Sequence, residues 1–323
     1  MPRGARLDAP GTLHHVLLRG IERSKIVTDD KDRKNFITRM GNIAAETETP
    51  IYAWALLNNH AHILLRSGPC GLPTYMRRLL SGYAISYNIR HRRHGHLFQN
   101  RYKSIVCEED AYFRELVRYI HLNPLRTKLV DTLTQLDRYP WSGHSALMRK
   151  VKNEWQDDEY VLRWFGHKVD EARREYRKYV AEGVAQGRRP DLVGGGLVRS
   201  QGGWSAVKAM MRLGIIERGD ERILGSGEFV ESMIKQADEK LKWQFSSGEH
   251  VKRAVELIDS VCKQRKVSIM ALKSGSRIRE VTQIRSQLAE KLVKEYGLSL
   301  AETARQLGVT TPAIANAIRR KTL

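Results

Sequence analysis

Apolar residues along this chain fall into two periods, and the switches between them mark out elements. The run Ile51-Tyr52-Ala53-Trp54-Ala55-Leu56-Leu57-Asn58-Asn59-His60-Ala61-His62-Ile63-Leu64-Leu65 is apolar and β-prone, and it predicts two strands meeting at a tight turn near Asn58-Asn59. Upstream, Thr12-Leu13-His14-His15-Val16-Leu17-Leu18-Arg19 reads as a strand closed by Gly20. Between them, Asp29 or Asp30 can cap a helix carrying Phe36, Ile37, Met40 and Ile43 on one side and ending before Pro50. A second helix, from about Leu72 to Arg90, spaces Met76, Leu79, Leu80, Tyr83 and Tyr87 at helical intervals. Tyr102-Lys103-Ser104-Ile105-Val106-Cys107 reads as a further strand, and Asp110 opens a helix through Tyr112, Phe113, Leu116, Val117, Ile120 and His121. The order β-α-β-β-α-β-α predicts an α+β layer, a small antiparallel ferredoxin-like or RNA-recognition-motif-like sheet backed by helices.

Beyond this segment, residues 1–150, the pattern turns helical. Residues 151–247 form a middle segment to which no chemistry can be assigned; Pro190 and Gly194-Gly195-Gly196 mark a hinge or linker within 183–203. Residues 248–323 end in one short helix over Leu300-Ala301-Glu302-Thr303-Ala304-Arg305-Gln306-Leu307, a turn at Gly308-Val309, and a second helix capped by Thr310 that runs from Pro312 to Arg320. That is helix-turn-helix spacing, with the second helix offered to a major groove. An ordinary helical hairpin is the alternative, and the basic tail Arg319-Arg320-Lys321 argues against it.

Charge changes the picture most. The 323 residues carry a formal net charge of +20, which predicts a polyanionic partner, nucleic acid in the usual case. Mean hydropathy is −0.48, and no apolar run approaches the ~20 residues of a membrane span. A membrane-surface role would lack both a lipidation motif and a basic amphipathic anchor. Met1-Pro2-Arg3-Gly4-Ala5-Arg6 has no apolar core behind its charges, so no signal peptide is expected. Cys70, Cys107 and Cys262 are far apart, suggesting neither a disulfide framework nor a zinc knuckle and fitting a reducing cytoplasm.

The candidate chemistry begins at His60 and His62. On a strand, residues i and i+2 share a face, so two imidazoles stand together as two of the ligands a divalent cation needs; a merely polar sheet face is the plain reading. In Arg118-Tyr119-Ile120-His121-Leu122-Asn123-Pro124, Tyr119 and Asn123 are i and i+4 on one helix face. An amide oxygen from Asn123 beside His60 and His62 would make an N,N,O set suited to Mg²⁺ or Mn²⁺, with water and phosphate filling the remaining positions. Tyr119 would then lie one turn from the metal, placed to attack phosphorus. Tyr83, Tyr87 and Tyr112 compete for that role, though Tyr83 and Tyr87 have no metal-coordinating amide one turn on. Arg77, Arg78, Arg90, Arg92, Arg93, Arg101 and Lys103 interleave with His91, His94, His96, Phe98 and Tyr102, a mixture that suits single-strand or hairpin DNA around this chemistry. Arg101 and Lys103 are the strongest of these.

These residues, with Gly95-His96-Leu97-Phe98-Gln99-Asn100-Arg101-Tyr102-Lys103-Ser104, make the first 150 residues or so resemble the single-tyrosine HUH transposases, most closely the REP-associated tyrosine transposases of bacteria. The resemblance implies a metal-dependent cut of single-stranded DNA, with His60 and His62 as metal ligands and Asn123 at the position of the third, polar ligand. Tyr119 would be the nucleophile, forming a 5′-phosphotyrosine link and freeing a 3′-OH. Ala61 stands where the family has a large hydrophobe. A bacterial, nucleoid-associated protein is expected; the resemblance leaves monomer or homodimer open.

The tail is similar to a different family, the C-terminal DNA-binding domain of the bacterial replication initiator. Lys273-Ser274-Gly275-Ser276-Arg277-Ile278-Arg279-Glu280-Val281-Thr282-Gln283-Ile284-Arg285 and Gly297-Leu298-Ser299-Leu300 echo its basic loop, long helix and helix-turn-helix, although Thr310-Thr311-Pro312-Ala313 replace its characteristic recognition residues. Duplex DNA docking follows, with Arg277, Arg279, Thr310, Thr311, Asn316, Arg319 and Arg320 as contact candidates. The sequence thus reads as a transposase with a duplex-binding tail. The rival is a non-catalytic DNA-binding regulator derived from a transposase; an RNA-binding module lacks the aromatic strand motif of that class.

Overall fold

The computed structural model describes residues 7–99, 102–187, 189–196, 219–265, 267–276, 278–294, 298 and 300–319. Strands β1 (Leu13–Arg19), β2 (Ile51–Leu56), β3 (His60–Arg66) and β4 (Lys103–Cys107) alternate with helices α1 (Asp30–Glu46), α2 (Leu72–Arg90) and α3 (Glu109–His121) in the predicted order. The strands lie side by side as β2-β3-β1-β4, antiparallel throughout. The architecture is α+β, as expected, with one addition. A short strand β5 (Ile223–Leu224) pairs in parallel with β4, Val106 against Ile223 and Cys107 against Leu224, so the sheet is mixed.

Register decides what each face holds. Leu17 lies opposite His62, Arg19 opposite His60 and His15 opposite Leu64, and paired residues share a face. That face, with Leu13, Leu64, Ile105 and Cys107, is covered by Phe113, Leu116, Val117 and Ile120 of α3. The other face, with Val16, Leu18, Ile63 and Leu65, is covered by Phe36 and Met40 of α1 and Met76, Leu79 and Tyr83 of α2. Asp29 caps α1 by accepting from the Asp32 backbone N–H at 3.0 Å, satisfying a donor the first helical turn leaves open.

Helices α4 (Asn123–Arg126), α5 (Leu133–Asp137), α6 (His144–Leu147), α7 (Asp158–Arg163) and α8 (Val169–Glu182) follow. Leu136, Leu147, Val161, Leu162, Ala172, Tyr176 and Val180 bury their side chains in the same core as α3. The chain consequently divides into compact units 1–237 and 238–323, whereas the sequence places boundaries at 150 and 247. Short amphipathic helices cannot bury their apolar faces alone, and here they bury them on α3 and the sheet.

In the second unit, helices α10 (Ile269–Lys273), α11 (Arg279–Lys294), α12 (Leu300–Leu307) and α13 (Thr311–Arg319) follow the end of α9 (Gly227–Gln264). They share a core of Ala254, Ile258, Leu272, Leu288, Leu292, Leu307 and Ile314. The turn between α12 and α13 demands glycine: Gly308 has φ of +66°, and a Cβ there would stand 2.0 Å from the Lys273 carbonyl oxygen. Among the described residues, no helix is long and apolar enough to cross a membrane.

Candidate active site

His60 and His62 lie where β3 begins and β1 ends. Their rings are 5.3 Å apart between centroids. His60 is half-buried; its Nδ1 is 2.7 Å from Asn59 Oδ1, while the Asn59 amide nitrogen donates to the Arg23 carbonyl at 3.1 Å. With its nitrogen so occupied, the amide presents oxygen to His60, which donates through Nδ1. His62 is 3 % exposed, and its Nδ1 is 3.0 Å from His15 Nε2.

Tyr119 comes from the last turn of α3. Its ring meets that of His62 edge-on at 5.6 Å and that of His15 at 5.9 Å. Tyr119 therefore stands beside His62, one of the two histidines expected near it and more than fifty residues away in the chain, and beside His15. Leu122 caps α3 and opens α4, so Asn123 begins a new short helix with Pro124 in its first turn. The Asn123 amide nitrogen donates back to the Tyr119 carbonyl at 2.9 Å and to the Ile120 carbonyl at 3.4 Å, which identifies Oδ1 as the atom left to accept. Arg126, one turn further on, places its guanidinium 5.3 Å from the Tyr119 ring centre. Of the rival tyrosines, Tyr83 is buried on the opposite sheet face and donates to the Ile26 carbonyl. The Tyr87 hydroxyl is bonded to Thr28 on that same side. Tyr112 is partly buried against the α3 core.

A strap from the middle segment crosses this site. Residues Pro190–Val193 form a single 3₁₀ turn; the Leu192 carbonyl accepts from His15 Nδ1 at 3.0 Å and the Val193 carbonyl from Lys103 Nζ at 2.8 Å. Arg189 ties the strap to Glu115 of α3 at 2.9 Å and to Asp191 at 2.7 Å. Gly195 closes it: its N–H donates to the Glu221 carbonyl, and a Cβ there would sit 2.1 Å from the Ile223 carbonyl oxygen. His15, Arg126 and the strap escaped the sequence reading. The one available signal for His15 was alternation, since Leu13, His15, Leu17 and Arg19 share the face of the paired strand's histidines.

Burial sets the protonation states. It lowers His60 to about 4, with Arg19 adding to the effect, and His15 to about 4 against the pull of the Leu192 carbonyl, with Lys103 lowering it further. His62 is held well below the ordinary imidazole range by burial and by its histidine neighbours. All three rings are neutral at pH 7, the form that ligates metal. Burial raises the Tyr119 phenol, Arg126 and the Asn123 amide oppose that rise, and Asp191 adds to it.

Among the described residues, no three His, Cys, Asp or Glu side chains cluster as a metal site. The ligands expected from the sequence are two imidazoles and an amide. Both Nδ1 atoms are engaged by Asn59 and His15, and neither Nε2 has a protein hydrogen-bond partner among the described residues. This donor set fits an oxygen-loving divalent ion that completes its shell with phosphate and water.

The basic candidates are dispersed. Arg77 and Arg78 line a groove between α1 and α2 with Lys31, Lys34 and Arg39, on the sheet face away from Tyr119, and Arg78 is paired with Glu46. Arg90 is engaged by Asp29 and Asp32, Arg92 is exposed, and Arg93 stands 5.9 Å from the Tyr87 ring. These arginines do not surround the tyrosine, because α2 packs on the opposite face. Lys103 does lie on the site's face. Arg279, Thr310, Thr311 and Asn316 are exposed in the second unit. Arg101, Arg277 and Arg320, and the side chain of Arg319, lie outside the described residues.

Comparison with known proteins adds a partial likeness to this geometry. No curated protein matches the chain. A solved structure described as a REP-associated tyrosine transposase bound to a REP hairpin is similar at 17% identity, covering 46% of this chain and 87% of that one, with a TM-score of 0.39. The family model described as "Transposase IS200 like" matches residues 11–123, a span that contains His15, His60, His62, Tyr119 and Asn123. Over residues 11–123, about a third of its length, this chain is thus similar to the IS200-like transposases.

Proposed function

We propose that the first unit cuts and rejoins single-stranded or hairpin DNA as a transposase, through a covalent link between Tyr119 and the 5′ phosphate. The single observation that carries this reading is the meeting of Tyr119 with His62 at a ring separation of 5.6 Å. Tyr119 Oη attacks phosphorus, the bond to the 3′ oxygen breaks, and that oxygen leaves as a 3′-OH after taking up a proton, while the phenol proton passes to solvent. His60, His62 and the Asn123 amide oxygen would hold Mg²⁺ or Mn²⁺. When bound, such an ion polarises the scissile phosphate and offsets the charge that develops there. Burial raises the Tyr119 phenol, and Arg126 opposes that rise by favouring the phenolate. The phosphotyrosine bond conserves phosphodiester energy, so a 3′-OH can reverse the attack and transfer the strand without ATP. In this reading the second unit docks duplex DNA through α13 and locates the sites at which the first unit acts.

The test is a labelled hairpin incubated with the protein and Mn²⁺. A covalent adduct should form with the wild-type chain, fail to form when EDTA is present from the start, and be absent from Tyr119→Phe, which should still bind the hairpin. An adduct that persists in Tyr119→Phe rejects the assignment. Hairpin binding with no adduct under any divalent ion would favour the non-catalytic regulator.

A further inference from the structure

The second nitrogen of each candidate metal ligand has a partner, and for His62 that partner is another histidine. His15 is completely buried and stacked on His62 with ring centroids 5.2 Å apart. Its Nδ1 faces the Leu192 carbonyl at 3.0 Å, and its Nε2 faces His62 Nδ1 at 3.0 Å. A carbonyl oxygen only accepts, so His15 Nδ1 must carry the proton of that bond. A neutral imidazole has one N–H, so His15 Nε2 is a lone pair, and His62 Nδ1 must donate to it. The proton of His62 is then on Nδ1, and its Nε2 is the bare nitrogen.

We infer that His15 is a positioning residue: held by the Leu192 carbonyl of the strap, it fixes His62 in the Nδ1–H tautomer and presents the His62 Nε2 lone pair to a divalent cation. This deepens the reading above and rests on it for the identity of the ligand. Asn59 does for His60 what His15 does for His62, but it is the immediate chain neighbour, whereas His15 reaches His62 across the β1–β3 ladder and draws its own orientation from a backbone group 177 residues away. The middle segment thereby gains a role, because its carbonyl at Leu192 sets the direction of a two-histidine relay. Outer partners of metal-bound histidines orient the ring and raise its basicity, and their loss lowers affinity.

The relay predicts which side chains can replace His15. Glutamine offers an N–H to the Leu192 carbonyl and a carbonyl oxygen to His62 Nδ1–H, so His15→Gln preserves the polarity of both bonds. Leucine offers neither. In the full-length chain without metal, long-range ¹H–¹⁵N correlation of the histidine rings should show His62 as the Nδ1–H tautomer. Titration with Mn²⁺ alone, followed by the electron paramagnetic resonance of the free ion, should show binding weakened by about 10- to 100-fold in His15→Leu. His15→Gln should stay close to wild type. Hairpin affinity in the absence of metal should be equal in all three.

An Nε2–H tautomer at His62 in the wild-type chain overturns the inference, as does His15→Leu binding Mn²⁺ as tightly as wild type, or His15→Gln binding it no better than His15→Leu. Should the leucine variant fail to fold, the wild-type tautomer decides. Failure of the metal-dependent reading looks different: wild type would take up no Mn²⁺ while His62 remained Nδ1–H.

Discussion

Arg126 stands 5.3 Å from the centre of the Tyr119 ring, and its NH1 reaches the Tyr119 carbonyl at 3.4 Å. Burial disfavours its charge, and so do the guanidiniums of Arg189 and Arg118. A cation placed among cations at a half-buried position is stabilised by an incoming anion, and the scissile phosphate is that anion in the proposed reaction. Arg126→Gln is therefore expected to slow adduct formation at saturating hairpin and Mn²⁺ by about a hundredfold, the scale of losing one charge-stabilising donor. Single-turnover kinetics would measure this, with hairpin affinity as the control. An unchanged rate constant would remove Arg126 from the chemistry. His60, His62, Tyr119 and Asn123 can be singled out as candidates in the sequence because each sits in a local pattern, i and i+2 on a strand or i and i+4 around a helix end. His15 cannot, because its importance depends on β1 lying beside β3 in one register, and a one-residue slip would turn it away. Arg126 lacked any pattern that distinguishes it from the chain's many other basic residues.

Elements α3, α6 and α8 are joined by a buried polar chain. The Tyr176 hydroxyl lies 2.8 Å from His121 Nδ1 and 2.5 Å from His144 Nδ1, His144 Nε2 lies 2.9 Å from Asp137, and Arg177 Nε donates to Asp137 at 3.0 Å. Burial holds His144 below its ordinary value of 6.5 although Asp137 pulls it upward. The unfolded chain therefore binds this proton at a higher pH than the fold does, so stability is full above about 6.5 and declines as the solution is acidified. His15 and His62, likewise buried and lowered, act in the same direction. The urea midpoint should fall between pH 7.5 and 5.0, and His144→Phe should make that fall shallower; an unaltered slope would mean that other groups govern it. The strap is the less legible element. Its Gly194-Gly195-Gly196 reads as a linker, yet Gly195 is where the chain packs against the β5 backbone, and Glu115 holds the strap to the tyrosine helix through Arg189. Backbone contacts between distant segments leave little trace in a local pattern, whereas the amphipathic helices α1, α2 and α3 could be placed almost to the residue.

At the scale of the whole molecule, two units share a net charge of +20, and each has a core of its own. Separate cores allow exposed residues of one unit to be changed without unfolding the other, which makes the proposed division of labour testable in the intact chain. Arg279 and Asn316 are exposed on α11 and α13. If α13 lies in a major groove, Asn316→Ala should lower duplex affinity and flatten preference among sequences, since side-chain amides read base edges. If Arg279 meets a phosphate, Arg279→Ala should weaken binding to all duplexes alike and make the dependence of log K on log salt shallower by about 0.9. Neither change should alter the rate of Tyr119 adduct formation on a saturating hairpin. Fluorescence anisotropy over a salt series, paired with adduct assays on the same preparations, separates the two units' roles. Equal loss of duplex binding and of adduct formation in these variants would show that one surface serves both, and the division of labour between the units would have to be abandoned.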